Sequence, residues 1–306
     1  MSSRVDPVTG VVLAVAVLAV SSSGPLTAFA AAPALAIAFW RNAIAVAALT
    51  PFAAARRGAE FRGLVRGEHR TAGWFSVAAG VALAVHFSTW MPSVQLTSVA
   101  TATALVATQP VWQCAIASMQ GKRLPAATWV GISLAVVGAV IATGADFEVS
   151  ATALTGDLLA LAGGLMAAIY TALGERARVT ISTTTYTSVC YSVCGVLLLG
   201  VCLVGGVPLV GFDGATWLAI LGLVAGAQLL GHSMFSFALR KVSATTVSLM
   251  ILLEVPGAAL IAWVWLGQVP RAGALPGLAL LLLGVAVVIV AGTRTRDVTP
   301  ARAVSS

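Results

Sequence analysis

Between Lys241 and Arg271 the chain carries a single charged residue, Glu254, set in the apolar stretch ILLEVPGAAL two positions before Pro256. An ionisable group in such a setting can bind a cationic group, or take up and release a proton. It can equally be a protonated carboxyl tied to a neighbouring helix. Counting by three and four places Thr246, Met250, Glu254, Gly257 and Ala258 on one mildly polar helix face. Pro256 has no N–H to donate, so a kink is expected there, with the carbonyl of Leu252 left unpaired near the carboxyl. Arg41 also lies in an apolar run. It can meet a substrate carboxylate, pair with an acid, or snorkel to the surface. His86 and His232 can relay protons near neutral pH or serve as interhelical hydrogen-bond partners. By helical spacing His86 aligns with Trp90, and Gln228 aligns with His232 and Ser236. Gln109 and Gln113 stack one turn apart beside Pro110. Such amides line cavities or hold helices together. Tyr170 is a weaker candidate of the same kind.

Chemistry of this sort needs a scaffold that is itself apolar. Of the 306 residues, 59% are hydrophobic and only 9% are charged. A soluble domain carries about 25% charged residues. A bilayer core about 30 Å thick requires about 20 consecutive apolar residues per helix. Ten such runs are present, at about 8–30, 34–55, 72–91, 97–119, 126–144, 154–173, 184–204, 214–238, 243–266 and 272–291. They lack the alternation of membrane β-strands, and helices satisfy their own backbone in lipid. The expected fold is therefore an all-α membrane protein of ten transmembrane helices. Arg4 followed by an apolar run and Ala28-Phe29-Ala30 imitates a secretory leader. The segment nevertheless has an internal counterpart, which a removable leader would lack.

That counterpart emerges on shifting the sequence by 146 positions. Gly10 then meets Gly156, Gly80 meets Gly226, His86 meets His232 and Pro110 meets Pro256. Gly121, Gly131 and Gly138 meet Gly267, Gly277 and Gly284. Five of the ten glycines from 10 to 138 fall on glycine, where a glycine content near a tenth predicts about one. The chain reads as two five-helix repeats, 8–144 and 154–291. An odd number of crossings makes the second repeat enter the membrane from the opposite side, so the topology is inverted.

Charge supports the inversion. Lys and Arg collect at the N-terminus (Arg4), in the second loop (Arg56, Arg57, Arg62, Arg66, Arg70), and at Lys122, Arg123, Arg176, Arg178, Arg240 and Lys241. Arg294, Arg296 and Arg302 follow the last run, and the alternate loops hold Arg271 alone. Positive loops stay in the cytoplasm, so both termini are expected there, in the cytoplasmic membrane of the cell. The opposite loops carry Asp146, Glu148 and Asp213. The net charge of +7 is thus a topology signal rather than a nucleic-acid footprint. The basic face is expected to attract anionic lipid head groups.

Inverted repeats are a recurrent plan of secondary transporters, with the substrate near the midplane between the halves. A channel-like facilitator and a membrane-embedded enzyme are the alternatives. No phosphate-binding glycine loop with lysine and no metal-ligand spacing is present, so no cofactor or metal is expected. Cys190 and Cys194 share a helix face without a nearby histidine and read as small buried side chains. Gly222 and Gly226, and the pairs Gly131/Gly138 and Gly277/Gly284, read as close-packing positions.

Two stretches carry a family resemblance: ATQPVWQCAIASMQGKRLPAATWVGISLAVVGAVIA at 107–142 and LLEVPGAALIAWVWLGQVPRAGALPGLALLLLGVAVVIV at 252–290. Each has a mid-helix proline followed by a glycine-spaced last helix. The chain resembles the drug/metabolite transporter superfamily, in its ten-helix EamA-domain form, over about residues 10 to 292. Gly121 and Gly267 are followed by Lys122 and Gln268, where the family's pattern has an acid. Arg41 resembles an arginine common in the family's second helix. The resemblance implies secondary transport, often export, of a small metabolite such as an amino acid or related compound. Glu254, Arg41, His86, Trp90, Gln109, Gln113, Gln228 and His232 are the expected substrate-binding or coupling residues.

Overall fold

A computed structural model describes residues 6–97, 99–143, 150–267 and 273–297. Arg4, Asp146, Glu148, Gln268, Arg271 and Arg302 lie outside these. The described chain makes ten helical passes. They are α1 (Pro7–Phe29), α2 (Ala34–Arg66), α3 (Arg70–Leu96), α4 (Val99–Val106 and Gln109–Met119) and α5 (Ala126–Thr143). The second set is α6 (Ala151–Ala177), α7 (Thr183–Val204), α8 (Gly214–Ala238), α9 (Ala244–Ile251 and Glu254–Leu266) and α10 (Ala274–Asp297). Among the described residues seven stretches are long and apolar enough by themselves to cross a membrane, and α5 and α10 hold shorter apolar helices.

Four passes depart from the uninterrupted helices that hydropathy suggests. The helix of α1 breaks at Ser22, within the run Ser21-Ser22-Ser23-Gly24-Pro25. In α4 and α9 the breaks fall within one residue of equivalent positions, just before Gln109 and Glu254, each with its proline in the first turn of the resumed helix. Here the expected orphan carbonyl does not exist. Leu252 O accepts from Val255 N at 3.2 Å, a tightened turn that replaces the bond Pro256 cannot make. In α8, residues Val224–His232 form a π-helix, closed by Ser233 N bonding to Gln228 O.

The loop expected at 56–70 is mostly helix. Its first part continues α2 through a non-helical Arg57 (φ −129°, ψ 22°) as far as Arg66. Past that kink, Glu60 accepts from the backbone N and hydroxyl of Ser182 at 3.0 and 2.7 Å, which docks the extension on the α6–α7 turn.

The packing has two-fold symmetry. Among the described residues the main contacts of one repeat on the other recur with the roles exchanged: α3 on α6 and α8 on α1, α4 on α6 and α9 on α1, α3 on α7 and α8 on α2. The equivalent helices α5 and α10 cross antiparallel. A Cβ on Gly131 would meet the carbonyl oxygen of Gly284, and one on Gly138 would meet that of Gly277. Helices in lipid gain nothing from hydrophobic exclusion and associate through such close backbone approach. The repeats are therefore inverted with respect to one another.

At the arginine-rich end, ion pairs join the halves. Lys241 meets Asp6 at 3.0 Å, and Lys122 meets Glu175 at 3.3 Å. Glu175 also accepts from Ala244 N at the start of α9. Asp6 caps α1 by accepting from Thr9 N and Oγ1. Lys241 and Thr9 together hold its carboxyl down at about 2.

Candidate functional site

The broken segments of α4 and α9 meet at a cavity between the two repeats. Repeat one supplies Val20 and Ser23 from α1, His86 and Trp90 from α3, and Thr103, Val106 and Gln109 from α4. Repeat two supplies Tyr170 and Thr171 from α6, His232, Phe235 and Ser236 from α8, and Val247, Ile251 and Glu254 from α9. Glu254 is the first residue of the resumed α9 helix, so the break places its carboxylate at the wall of the cavity. Among the described residues it makes no ion pair. Directly behind it Gly257 packs on Ser21, so closely that a Cβ there would overlap the serine side chain.

The two histidines face the same space by different means. His86 Nδ1 lies 2.9 Å from Gly163 O. A carbonyl only accepts, so Nδ1 carries the proton. The His86 ring stacks on Trp90, at 6.0 Å between centroids and 5° between planes. His232 stands edge-on to both Phe87 and Tyr170. Tyr170 Oη lies 3.2 Å from Ser236 Oγ. Gln109 lines the cavity and donates to Thr171 Oγ1 at 3.1 Å, which ties α4 to α6.

Arg41, Gln113 and Gln228 do not line the cavity. Arg41 is fully buried, so it does not snorkel. Nor does it pair with an acid among the described residues. Its Nε donates to Gln228 Oε1 at 2.9 Å, Nη1 donates to Ser23 Oγ at 3.5 Å, and the guanidinium sits 4.4 Å from the centre of the Phe87 ring. Gln228 in turn donates to Asn42 Oδ1 at 3.1 Å. The expected shared face of Gln228, His232 and Ser236 is split: Gln228 turns to Arg41, while His232 and Ser236 turn to the cavity. The π-helix is the reason, because its wider turn breaks the four-residue alignment. Gln113 is buried, and its Oε1 lacks a protein partner among the described residues.

Sequence reasoning missed Ser23, Thr103 and Phe235 in the lining, and Asn42 in the network behind it. The serine-glycine-proline run at 21–25 signals a break in α1 and so points at Ser23. Nothing local singles out Thr103, Phe235 or Asn42.

Fold and site together define a polytopic helical membrane protein of two inverted five-helix repeats, with a mostly apolar cavity between them and one carboxylate at its wall. The model of the EamA-like transporter family matches residues 8–144 and, a second time, residues 154–290. The chain belongs to that family. A solved structure, described only as "Crystal structure of protein", superposes with a TM-score of 0.75 over 94% of this chain and 98% of its own, at 19% identity. At that identity the likeness concerns the fold. No curated protein matches the chain in sequence.

Proposed function

We propose that the protein is a secondary active transporter that exports a small amphipathic metabolite, an amino acid or related compound, coupled to protons at Glu254. The observation that carries this reading is the cavity itself. It lies where discontinuous helices of the two repeats meet, and it holds one carboxylate with no ion-pair partner among the described residues. Discontinuous helices at a repeat interface are where secondary transporters of inverted design bind substrate. Rocking one repeat against the other about such a site exposes it to each side in turn. Ionisable groups within a membrane are costly to hold and mark substrate or proton paths. The arginine-rich face is assigned to the cytoplasm of the cell, with both termini on that side. His86, Trp90, Gln109 and His232 contact substrate on this reading, and Arg41 with Gln228 positions α2 against α8 behind it.

The test is counterflow of labelled metabolites in proteoliposomes, which a carrier shows and an open channel does not. Glu254→Gln should abolish the pH dependence of flux while leaving the purified protein monodisperse. Flux that varies with pH in the variant as in the wild type would remove the proton role.

A further inference from the structure

We infer that the cavity selects substrates by a protonated amine attached to an apolar, preferentially aromatic body, and that it does not read a carboxylate. This rests on the transport reading above and names the substrate class of the same site. The polar groups at the wall are unequal in kind. Among the lining residues Glu254 is the one carboxylate, and no lysine or arginine lines the space. His86 spends its Nδ1 proton on Gly163 O, so in the neutral ring Nε2 is left as an acceptor. His232 lines the cavity with neither ring nitrogen bonded to a described residue. Three side chains therefore present acceptors that the protein leaves without donors. An ammonium group has three N–H donors to give and the opposite charge to Glu254.

The apolar part of the site is equally specific. The His86–Trp90 stack, Tyr170 and Phe235 supply aromatic walls, which suit an aryl group and also favour a nearby cation. Trp90 Nε1 is buried, and Thr103 Oγ1 with it, without a partner among the described residues. The group that would ordinarily recognise a carboxylate is Arg41, and it is turned away. Its Nε and Nη1 are engaged by Gln228 and Ser23 and its face by Phe87, its Nη2 is buried without a partner among the described residues, and it does not line the cavity. A carboxylate placed in the cavity would face Glu254 without a cationic group to receive it, a poor exchange for its hydration.

Three compounds with the same aromatic body decide the matter: 2-phenylethylamine, phenylalanine and 3-phenylpropionate. Each is added to the purified full chain, and binding is read from the shift in thermal unfolding midpoint and from inhibition of counterflow. The amine should bind most tightly, the amino acid more weakly because its carboxylate gives up hydration without a cation in the lining, and the acid at least about tenfold more weakly than the amine, since losing a hydrogen-bonded charge contact is worth that or more. Glu254→Gln should remove that preference. Glu254→Asp, which keeps the charge, should retain it in part and covers the case in which the glutamine variant fails to fold. Binding of 3-phenylpropionate as tight as that of the amine overturns the inference. So does binding of phenylalanine alone, which would mean that Arg41 reads the carboxylate after all. Binding of none of the three overturns it as well. If counterflow of some other, non-amine metabolite is then found, the transport reading survives. Absence of counterflow for every compound would count against transport itself.

Discussion

The bond between Arg41 and Gln228 joins residues 187 positions apart and holds a guanidinium that has no exposure. Replacing Gln228 by leucine keeps the volume roughly constant but removes two hydrogen bonds. One is the acceptor for Arg41 Nε at 2.9 Å, and the other is the donor to Asn42 Oδ1 at 3.1 Å. A hydrogen bond to a charged group contributes about 1.5–3 kcal/mol and a neutral one about 0.5–1.5 kcal/mol. The pair gives about 2–4 kcal/mol. Polar contacts between membrane helices average only about 0.6 kcal/mol, because separated helices find other partners, so the lower end of about 2 kcal/mol is expected. For a chain of this size that corresponds to a fall in unfolding midpoint of about 4 °C. The assay is thermal unfolding of the purified protein at one fixed scan rate, because membrane proteins of this kind unfold irreversibly. Combining Gln228→Leu with Arg41→Met should recover much of the loss, since the damage comes from a buried charge left short of partners. An unchanged midpoint in Gln228→Leu would refute the reasoning. A double variant less stable than either single one would do the same.

Three further outcomes are expected. Gly138→Val puts a branched side chain where a Cβ already meets the backbone of Gly277 and Leu281. It should sharply lower the yield of monodisperse protein, whereas Gly10→Ala, which meets nothing within 4 Å, should not. Single cysteines at Arg57 and Arg240 should both be labelled by an impermeant thiol reagent only from the cytoplasmic side; labelling from opposite sides would break the topology. The Asp6 carboxyl is held at about 2 by Lys241 and Thr9, below its unfolded value near 4. Its stabilisation is therefore complete above about pH 4 and is lost as pH falls through about 2. The difference in midpoint between wild type and Asp6→Asn should be constant above that window and shrink within it, and a difference independent of pH would contradict the assignment.

Much of this architecture was written locally in the sequence. Hydropathy marks the passes because lipid imposes one length and one polarity on each of them. The glycines of α5 and α10 mark a crossing because only glycine admits backbone that close. Glu254 was legible because a single carboxylate in an apolar run has few roles. What sequence could not supply depends on distant partners. Hydropathy passes over the breaks at Ser22, Thr108 and Leu253, since an interrupted membrane helix stays apolar, and only the serine-glycine-proline run and the two prolines mark them. The Arg57 kink and the extension of α2 depend on Glu60 finding Ser182, 122 residues on. Arg41 gave no hint of its partner, because Gln228 reaches it only through the π-helical turn.

Between Val224 and His232 the chain holds a register defect that serves two masters, presenting an amide to the buried arginine and an imidazole to the space where substrate is proposed to sit. Removing one residue from it would restore ordinary winding and let the helix satisfy either neighbour, never both. The extra residue is a mechanical link: anything that rewinds α8 must loosen the grip on Arg41 and swing His232 in the same movement.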